Sequence, residues 1–139
     1  MEMTRYILIK FAAYALWSFV GLRLLTQPPP VLKRLVLPAL GLGGLRLLMG
    51  MGFGVAVFLF AGLLPIHGTL RDYIAIYAPV RIVEWGLLFA IIRSRGGALS
   101  WRNPRVWIWI VVGIAVSFAA DLASPIPPKE HFCIGRCLC

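Results

Sequence analysis

The residues with the most obvious chemistry are four soft ligands near the end of the 139-residue chain. His131, Cys133, Cys137 and Cys139 follow one another in the order H-x-C-x3-C-x-C. Thiolate and imidazole groups suit a soft metal such as Cu(I) or Zn, although this spacing is not a standard zinc or iron–sulfur motif. The same cysteines are compatible with one disulfide and a leftover thiol, or with S-acylated or free thiols. The sequence leaves these three interpretations open.

A second set of polar side chains lies inside apolar sequence. Arg81 and Glu84 are three residues apart, and Tyr77 precedes Arg81 by four, so a helix would place all three on one face. Charged residues in the centre of a membrane span cost about 2.5–3.5 kcal/mol each on insertion scales. One interpretation is therefore an ion, proton or ligand site. The other is a salt bridge, or a contact with another subunit, that merely neutralises the charges.

Asp121 ends a stripe in which Gly113, Ser117 and Asp121 are four residues apart. We expect Asp121 to approach Arg81 across two neighbouring helices, because both would lie toward the same side of a membrane. A charge swap at the two positions should then be milder than either single change.

Small residues at helical spacing predict close helix packing, since they let two backbones approach each other. Two apolar stretches carry such residues. The predicted helix-packing positions are Gly50, Gly54, Ala61, Gly113 and Ser117.

The composition predicts that these residues lie in an all-α integral membrane protein. Hydrophobic residues make up 60% of the chain and charged residues only 14%, where a soluble domain has about a quarter. The mean hydropathy is +0.87. Inside hydrocarbon only helices and closed barrels satisfy their own backbone, and the long, continuous apolar runs favour helices over the alternating segments of a barrel.

About four transmembrane helices are predicted within one helical domain, residues 1–124, which a Pro- and Cys-rich tail at 125–139 follows. The segment 35–45 is apolar but short and contains Pro38 and three glycines, so we predict an interfacial or re-entrant segment there. The alternative is one helix of thirty residues, which would be about 45 Å long against about 30 Å of hydrocarbon. The predicted spans are 6–25, 47–66, 73–92 and 106–123.

The net charge of +9 predicts contact with anionic lipid headgroups rather than with nucleic acid. With four spans, the connections after the first and third helices share a side and carry eight basic residues, Arg46 included. The opposite side carries five, and Lys10 is expected to reach the interface from the first span. The positive-inside rule therefore predicts both termini outside the cytoplasm.

The preferred functional hypothesis is a non-catalytic accessory, anchoring or assembly subunit that packs against a larger membrane complex or against itself. The small size, the small-residue faces and the lack of a nucleophile–base pair support it and disfavour an enzyme. The first alternative is a small oligomeric transporter or channel that uses Arg81, Glu84 and Asp121. The second is a metal- or thiol-handling protein that acts through residues 131–139. No cofactor other than a soft metal in that tail is predicted.

Overall fold

Four long helices form nearly all of the described chain. The computed structural model describes residues 2–28, 31–61, 70–96 and 98–122. Each helix is long and apolar enough to cross a membrane, so the prediction of an all-helical chain with four such helices is confirmed. The helices are α1 (Glu2–Leu25), α2 (Leu32–Ala61), α3 (Leu70–Ser94) and α4 (Pro104–Asp121).

Local sequence accounts for where the helices begin and end. α1 ends before the prolines at 28–30, which cannot continue a helix because they lack an N–H. After α3, Gly96 has φ of +84°, a left-handed conformation that glycine adopts without steric cost. α4 begins with Pro104, and the Asn103 side chain caps it by accepting a hydrogen bond of 3.0 Å from the backbone N–H of Arg105.

α2 differs from the prediction. Residues 32–61 form one helix of 30 residues with Pro38 inside it, so the separate segment at 35–45 is not confirmed. Pro38 lies in the second turn, where its ring removes only one hydrogen bond near the helix start. The glycines that follow lower helix propensity in water, but Gly43 gains a close approach to α1. A Cβ atom at Gly43 would lie only 2.7 Å from the backbone of Ala15.

The helices pack in a ring, with contacts between α1 and α2, α2 and α3, α3 and α4, and α4 and α1. At one end of the bundle the α1–α2 and α3–α4 connections meet. The Leu99 N–H donates to the Leu25 carbonyl at 2.8 Å, and Thr26 and Ala98 form a β-bridge. We call this the basic end, and the opposite end, where α4 stops, the Asp121 end.

Tryptophans join α1, α3 and α4 in the centre of the bundle. The Trp17 indole N–H donates to the Trp109 carbonyl at 3.0 Å, and the Trp109 indole N–H donates to the Trp17 carbonyl at 3.1 Å. Trp85 is fully buried and meets the Trp109 ring edge to face at 5.1 Å. Gly113 allows this packing, since a Cβ atom there would lie 2.7 Å from the Trp85 ring. Between these rings and the basic end, the core is aliphatic and aromatic.

Candidate functional site

Five charged side chains, contributed by all four helices, lie buried in the interior of the bundle. They are Lys10 from α1, Arg46 from α2, Arg81 and Glu84 from α3, and Asp121 from α4. The side chains of Lys10, Arg46, Arg81 and Glu84 are 0–5% exposed and that of Asp121 is 11% exposed. We call these five residues the charged cluster.

Asp121 is the centre of the outer part of the charged cluster. Its Oδ1 lies 2.6 Å from the Lys10 Nζ, and its Oδ2 lies 2.7 Å from an Arg81 Nη2. The Tyr73 hydroxyl donates to the same Oδ2 at 2.8 Å. The Lys10 ammonium also lies 4.6 Å from the centre of the Tyr6 ring. The last residue of α4 thus ties α1, α3 and α4 together.

Arg81 lies between the two carboxylates of the charged cluster. Its Nη2 contacts Asp121 at 2.7 Å, whereas its Nη1 is 3.7 Å from Glu84 Oε2, one turn along the same helix. The guanidinium also lies 5.9 Å from the ring centres of both Tyr77 and Phe118, a distance at which aromatic faces attract cations. Arg81 is therefore bonded most closely to α4 and more loosely to its own helix.

Glu84 and Arg46 form the inner part of the charged cluster. Their closest atoms, Glu84 Oε2 and Arg46 Nη2, are 2.6 Å apart, and both side chains are shielded from solvent. The Arg46 guanidinium lies 4.8 Å from the centre of the Tyr14 ring and 5.4 Å from that of Trp85. The pair is thus surrounded by aromatic rings that compensate part of the lost hydration.

Ser117 fixes the inner pair against α4. Its hydroxyl accepts hydrogen bonds from the Trp85 indole at 3.0 Å and from Arg46 Nη2 at 3.3 Å. The same hydroxyl donates to the Gly113 carbonyl at 2.9 Å. A single small side chain therefore connects α2, α3 and α4.

Gly50 lies directly against the inner pair. A Cβ atom at Gly50 would lie 3.3 Å from Arg46 Nη1 and 3.7 Å from Glu84 Oε1. These two atoms have no hydrogen-bond partner within the described part of the chain. The missing side chain at Gly50 therefore makes room for the inner pair itself, since a Cβ atom there would press against the Arg46 guanidinium.

The structure brings together most of the polar residues singled out from the sequence. Arg81 and Asp121 approach each other as expected, and Tyr77 and Glu84 lie beside Arg81. Ser117 belongs to the same network. The assignment of functional roles to these residues remains a prediction.

The residues predicted to pack helices together have different surroundings in the structure. Gly113 faces the Trp85 ring, Gly50 faces the inner pair, and Gly54 is buried. Ala61 is the last residue of α2, and its side chain lies outside the described part of the structure. The four tail residues His131, Cys133, Cys137 and Cys139 also lie outside the described residues. Within the described ranges, no three His, Cys, Asp or Glu side chains are grouped to hold a metal ion.

Two members of the charged cluster lie elsewhere than the sequence predicts. The sequence places Arg46 in the connection before the second span and Lys10 at the interface, but both are buried and paired with carboxylates. The reason is that α2 begins fifteen residues earlier than the predicted span at 47–66, which moves Arg46 from a boundary to the middle of a helix. A single helix over 32–61 places Arg46 in the middle of an apolar span, where its charge needs a carboxylate partner.

The remaining basic residues concentrate at the basic end of the bundle. Seven lie there on the ends of the helices and in the two connections, and all seven are exposed. The sequence has no acidic residue between positions 3 and 71 or between 85 and 120, so none offsets them at that end. These residues are Arg23, Lys33, Arg34, Arg93, Arg95, Arg102 and Arg105.

Comparison with protein-family models, with curated proteins and with solved structures gave no match for this chain.

Proposed function

We propose that the chain is a four-pass integral membrane protein. Each helix meets the length and hydropathy expected of a span, and large apolar side chains such as Leu16, Leu37 and Leu59 point outward with 67–79% of their surface exposed. Such a surface is suited to lipid and not to water. The seven residues at the basic end favour a cytoplasmic location for that end, with both termini on the opposite side.

Within that membrane protein, we propose that the charged cluster moves protons or small ions. The observation that carries this proposal is the unbroken series of contacts from Asp121 through Arg81 and Glu84 to Arg46. Buried ion pairs seldom add stability over apolar residues of similar size. Ionisable groups inside a membrane bundle more often serve a pathway for ions or protons.

The geometry of the charged cluster suits access from one side. Asp121 retains some exposure at its end of the bundle, while Arg46 and Glu84 have almost none. Beyond them, the rings of Tyr14, Trp85 and Trp109 separate the cluster from the basic end. We propose that this arrangement is the state of a small carrier that is accessible from the Asp121 end.

The Arg81 side chain is the part of the charged cluster that changes its contacts between the states of the proposed carrier. It holds Asp121 at 2.7 Å and Glu84 at 3.7 Å, so a small rotation of its side chain exchanges the favoured partner. Protonation of either carboxylate would weaken its hold on Arg81 and favour the other contact. Proton binding would in this way be coupled to the packing of α3 against α4.

Flux measurements on proteoliposomes test the proposal. Purified protein is reconstituted with a pH-sensitive dye inside the vesicles, and proton or ion movement is driven by a potassium diffusion potential. Glu84→Gln should abolish the flux, while Glu84→Asp, which keeps the carboxylate, should retain part of it. Flux that is unchanged in Glu84→Gln, or absent from the wild type for protons and for the common monovalent ions, would contradict the proposal.

The second candidate function is the accessory or assembly subunit, and the surface of α2 favours it. In the apolar 18-residue stretch of α2, 22% of the residues are buried inside the bundle, against 33% in the corresponding stretch of each other helix. Gly41 and Gly52 are exposed on α2, and nothing in the described chain lies within 4 Å of a Cβ atom at either position. Small residues on an outward face suit a partner helix.

Purification in mild detergent tests this second function. A stable hetero-complex or homo-oligomer should be recovered with the wild type, and a double change of Gly41→Leu and Gly52→Leu should disrupt it. A monomer with no copurifying protein would count against a subunit role and leave the ion-moving proposal intact.

A further inference from the structure

A groove on the outer surface between α1 and α4 has the chemistry of a lipid site. It measures about 240 Å³ and is lined by Trp17, Leu24, Arg105, Ile108 and Trp109. We propose that it binds one anionic phospholipid, with an acyl chain against the aromatic and aliphatic side chains and the phosphate on Arg105. This inference depends on the chain being a membrane protein but not on any movement of ions.

The floor of the groove presents apolar surface. Trp17 and Trp109 each donate their indole N–H to the other's backbone carbonyl, at 3.0 and 3.1 Å. Their polar atoms are therefore satisfied inside the protein. Trp109 is only 2% exposed and closes the floor, so the half-buried Trp17 ring supplies the aromatic surface that a ligand can contact. Leu24 and Ile108, which are 54% and 61% exposed, add aliphatic surface at the sides.

Arg105 provides the one charge among the lining residues, at the basic end of the groove. It is exposed and is the second residue of α4, so the partial positive charge of the helix start adds to that of its guanidinium. The six other basic residues of this end raise the potential further, and no acidic residue opposes them. A phosphate without a balancing ammonium is favoured here, which points to an anionic rather than a zwitterionic headgroup.

A second groove supplies a comparison within the same molecule. It lies between α1 and α2, measures about 340 Å³ and has only apolar lining residues, among them Phe11, Leu16 and Leu40. An acyl chain fits this groove equally well, but no charged residue there can select a headgroup. Selectivity for anionic lipid is therefore specific to the groove that contains Arg105.

Native mass spectrometry of the detergent-purified full chain tests the site. Phosphatidylglycerol and phosphatidylcholine with identical acyl chains are titrated separately. The wild type should bind one phosphatidylglycerol more tightly than any phosphatidylcholine. Arg105→Gln should lower that affinity about fivefold, the factor expected from one basic residue near anionic headgroups.

Two further variants separate the site from general effects. Arg93→Gln removes the same charge from an exposed position at the same end but outside the groove, and it should lower the affinity much less than Arg105→Gln does. Leu24→Trp fills the groove while keeping Arg105, and it should remove the tight phosphatidylglycerol site. Circular dichroism of each variant shows that the helices are retained, and Leu24→Trp tests the proposal even if Arg105→Gln does not fold.

Several outcomes would overturn the assignment. Equal affinity for the two lipids would reduce the groove to an apolar surface, and equal losses in Arg93→Gln and Arg105→Gln would assign the effect to the overall charge of the basic end. Binding of glycerol 1-phosphate as tight as that of phosphatidylglycerol would make it a phosphate site without a role for the acyl chain. Failure of the membrane proposal itself would be seen separately, as release of the protein from membranes by alkaline washing.

Discussion

Replacing Glu84 by methionine should destabilise the protein far more than replacing both members of the inner pair. Arg46 is completely buried, and Glu84 Oε2 is its only ion-pair contact in the described structure, at 2.6 Å. Glu84→Met leaves that guanidinium charged and unpaired in an apolar core. Breaking a buried pair in this way costs about 3–5 kcal/mol.

The reverse change should cost less, because Glu84 has a second cation nearby. In Arg46→Met the carboxylate keeps Arg81, whose Nη1 is 3.7 Å away, and we expect a loss of about 1–3 kcal/mol. The double variant removes both charges and leaves Arg81 paired with Asp121 at 2.7 Å. Its stability should return to within about 1 kcal/mol of the wild type, since apolar residues of similar volume replace buried ion pairs at little cost.

Reversible unfolding in mixed micelles, followed by circular dichroism, gives the free energies for this cycle of variants. If Glu84→Met alone lies within about 1 kcal/mol of the wild type, the inner pair is not formed in the protein as described. If the double variant is as unstable as Glu84→Met, the charges contribute to stability in a way that the packing does not explain. A stable double variant that no longer moves ions would separate the role of the pair in function from its role in folding.

Two other predictions follow from the contacts. The charge swap Arg81→Asp with Asp121→Arg should not recover stability, contrary to the expectation from sequence, because Lys10 would then face a guanidinium. Thermal unfolding in detergent measures this stability. A swap that is more stable than both single variants would contradict the contact between Lys10 and Asp121. Gly43→Ala should cost about 1–3 kcal/mol, since its Cβ atom would lie 2.7 Å from the α1 backbone, while Gly41→Ala, with open space, should be neutral or slightly stabilising. Equal melting temperatures for these two glycine variants would show that α1 and α2 are less closely packed than described.

The apolar pattern of the sequence was sufficient to predict four helices because a run of about twenty apolar residues is typical of a membrane-spanning helix. It also predicted the approach of Arg81 and Asp121, since both lie inside predicted spans and toward the same side. The pattern failed at Arg46, where Pro38 and the glycines suggested a break in the helix. Their low helix propensity is outweighed by packing, which a single sequence does not display.

Lys10 illustrates a second limit of sequence reasoning. A lysine a few residues inside a span can reach the interface or turn inward, and the sequence around it is compatible with both. The choice depends on Asp121, which lies at the far end of the chain and becomes a neighbour only through the fold. Tyr73 was overlooked for the same reason, since its hydroxyl finds Asp121 across the α3–α4 contact.

The position of Asp121 has a consequence for how the protein is made. The carboxylate that neutralises Lys10 in the first helix is the last residue of the fourth, so the ribosome delivers it on the order of ten seconds later at about 5–20 residues per second. During that interval α1 carries an ammonium group without its native counter-charge. If the chain inserts into a membrane as proposed, biogenesis should therefore keep the early helices beside the insertion machinery until α4 arrives. A nascent chain arrested before Asp121 should then still crosslink to that machinery through α1.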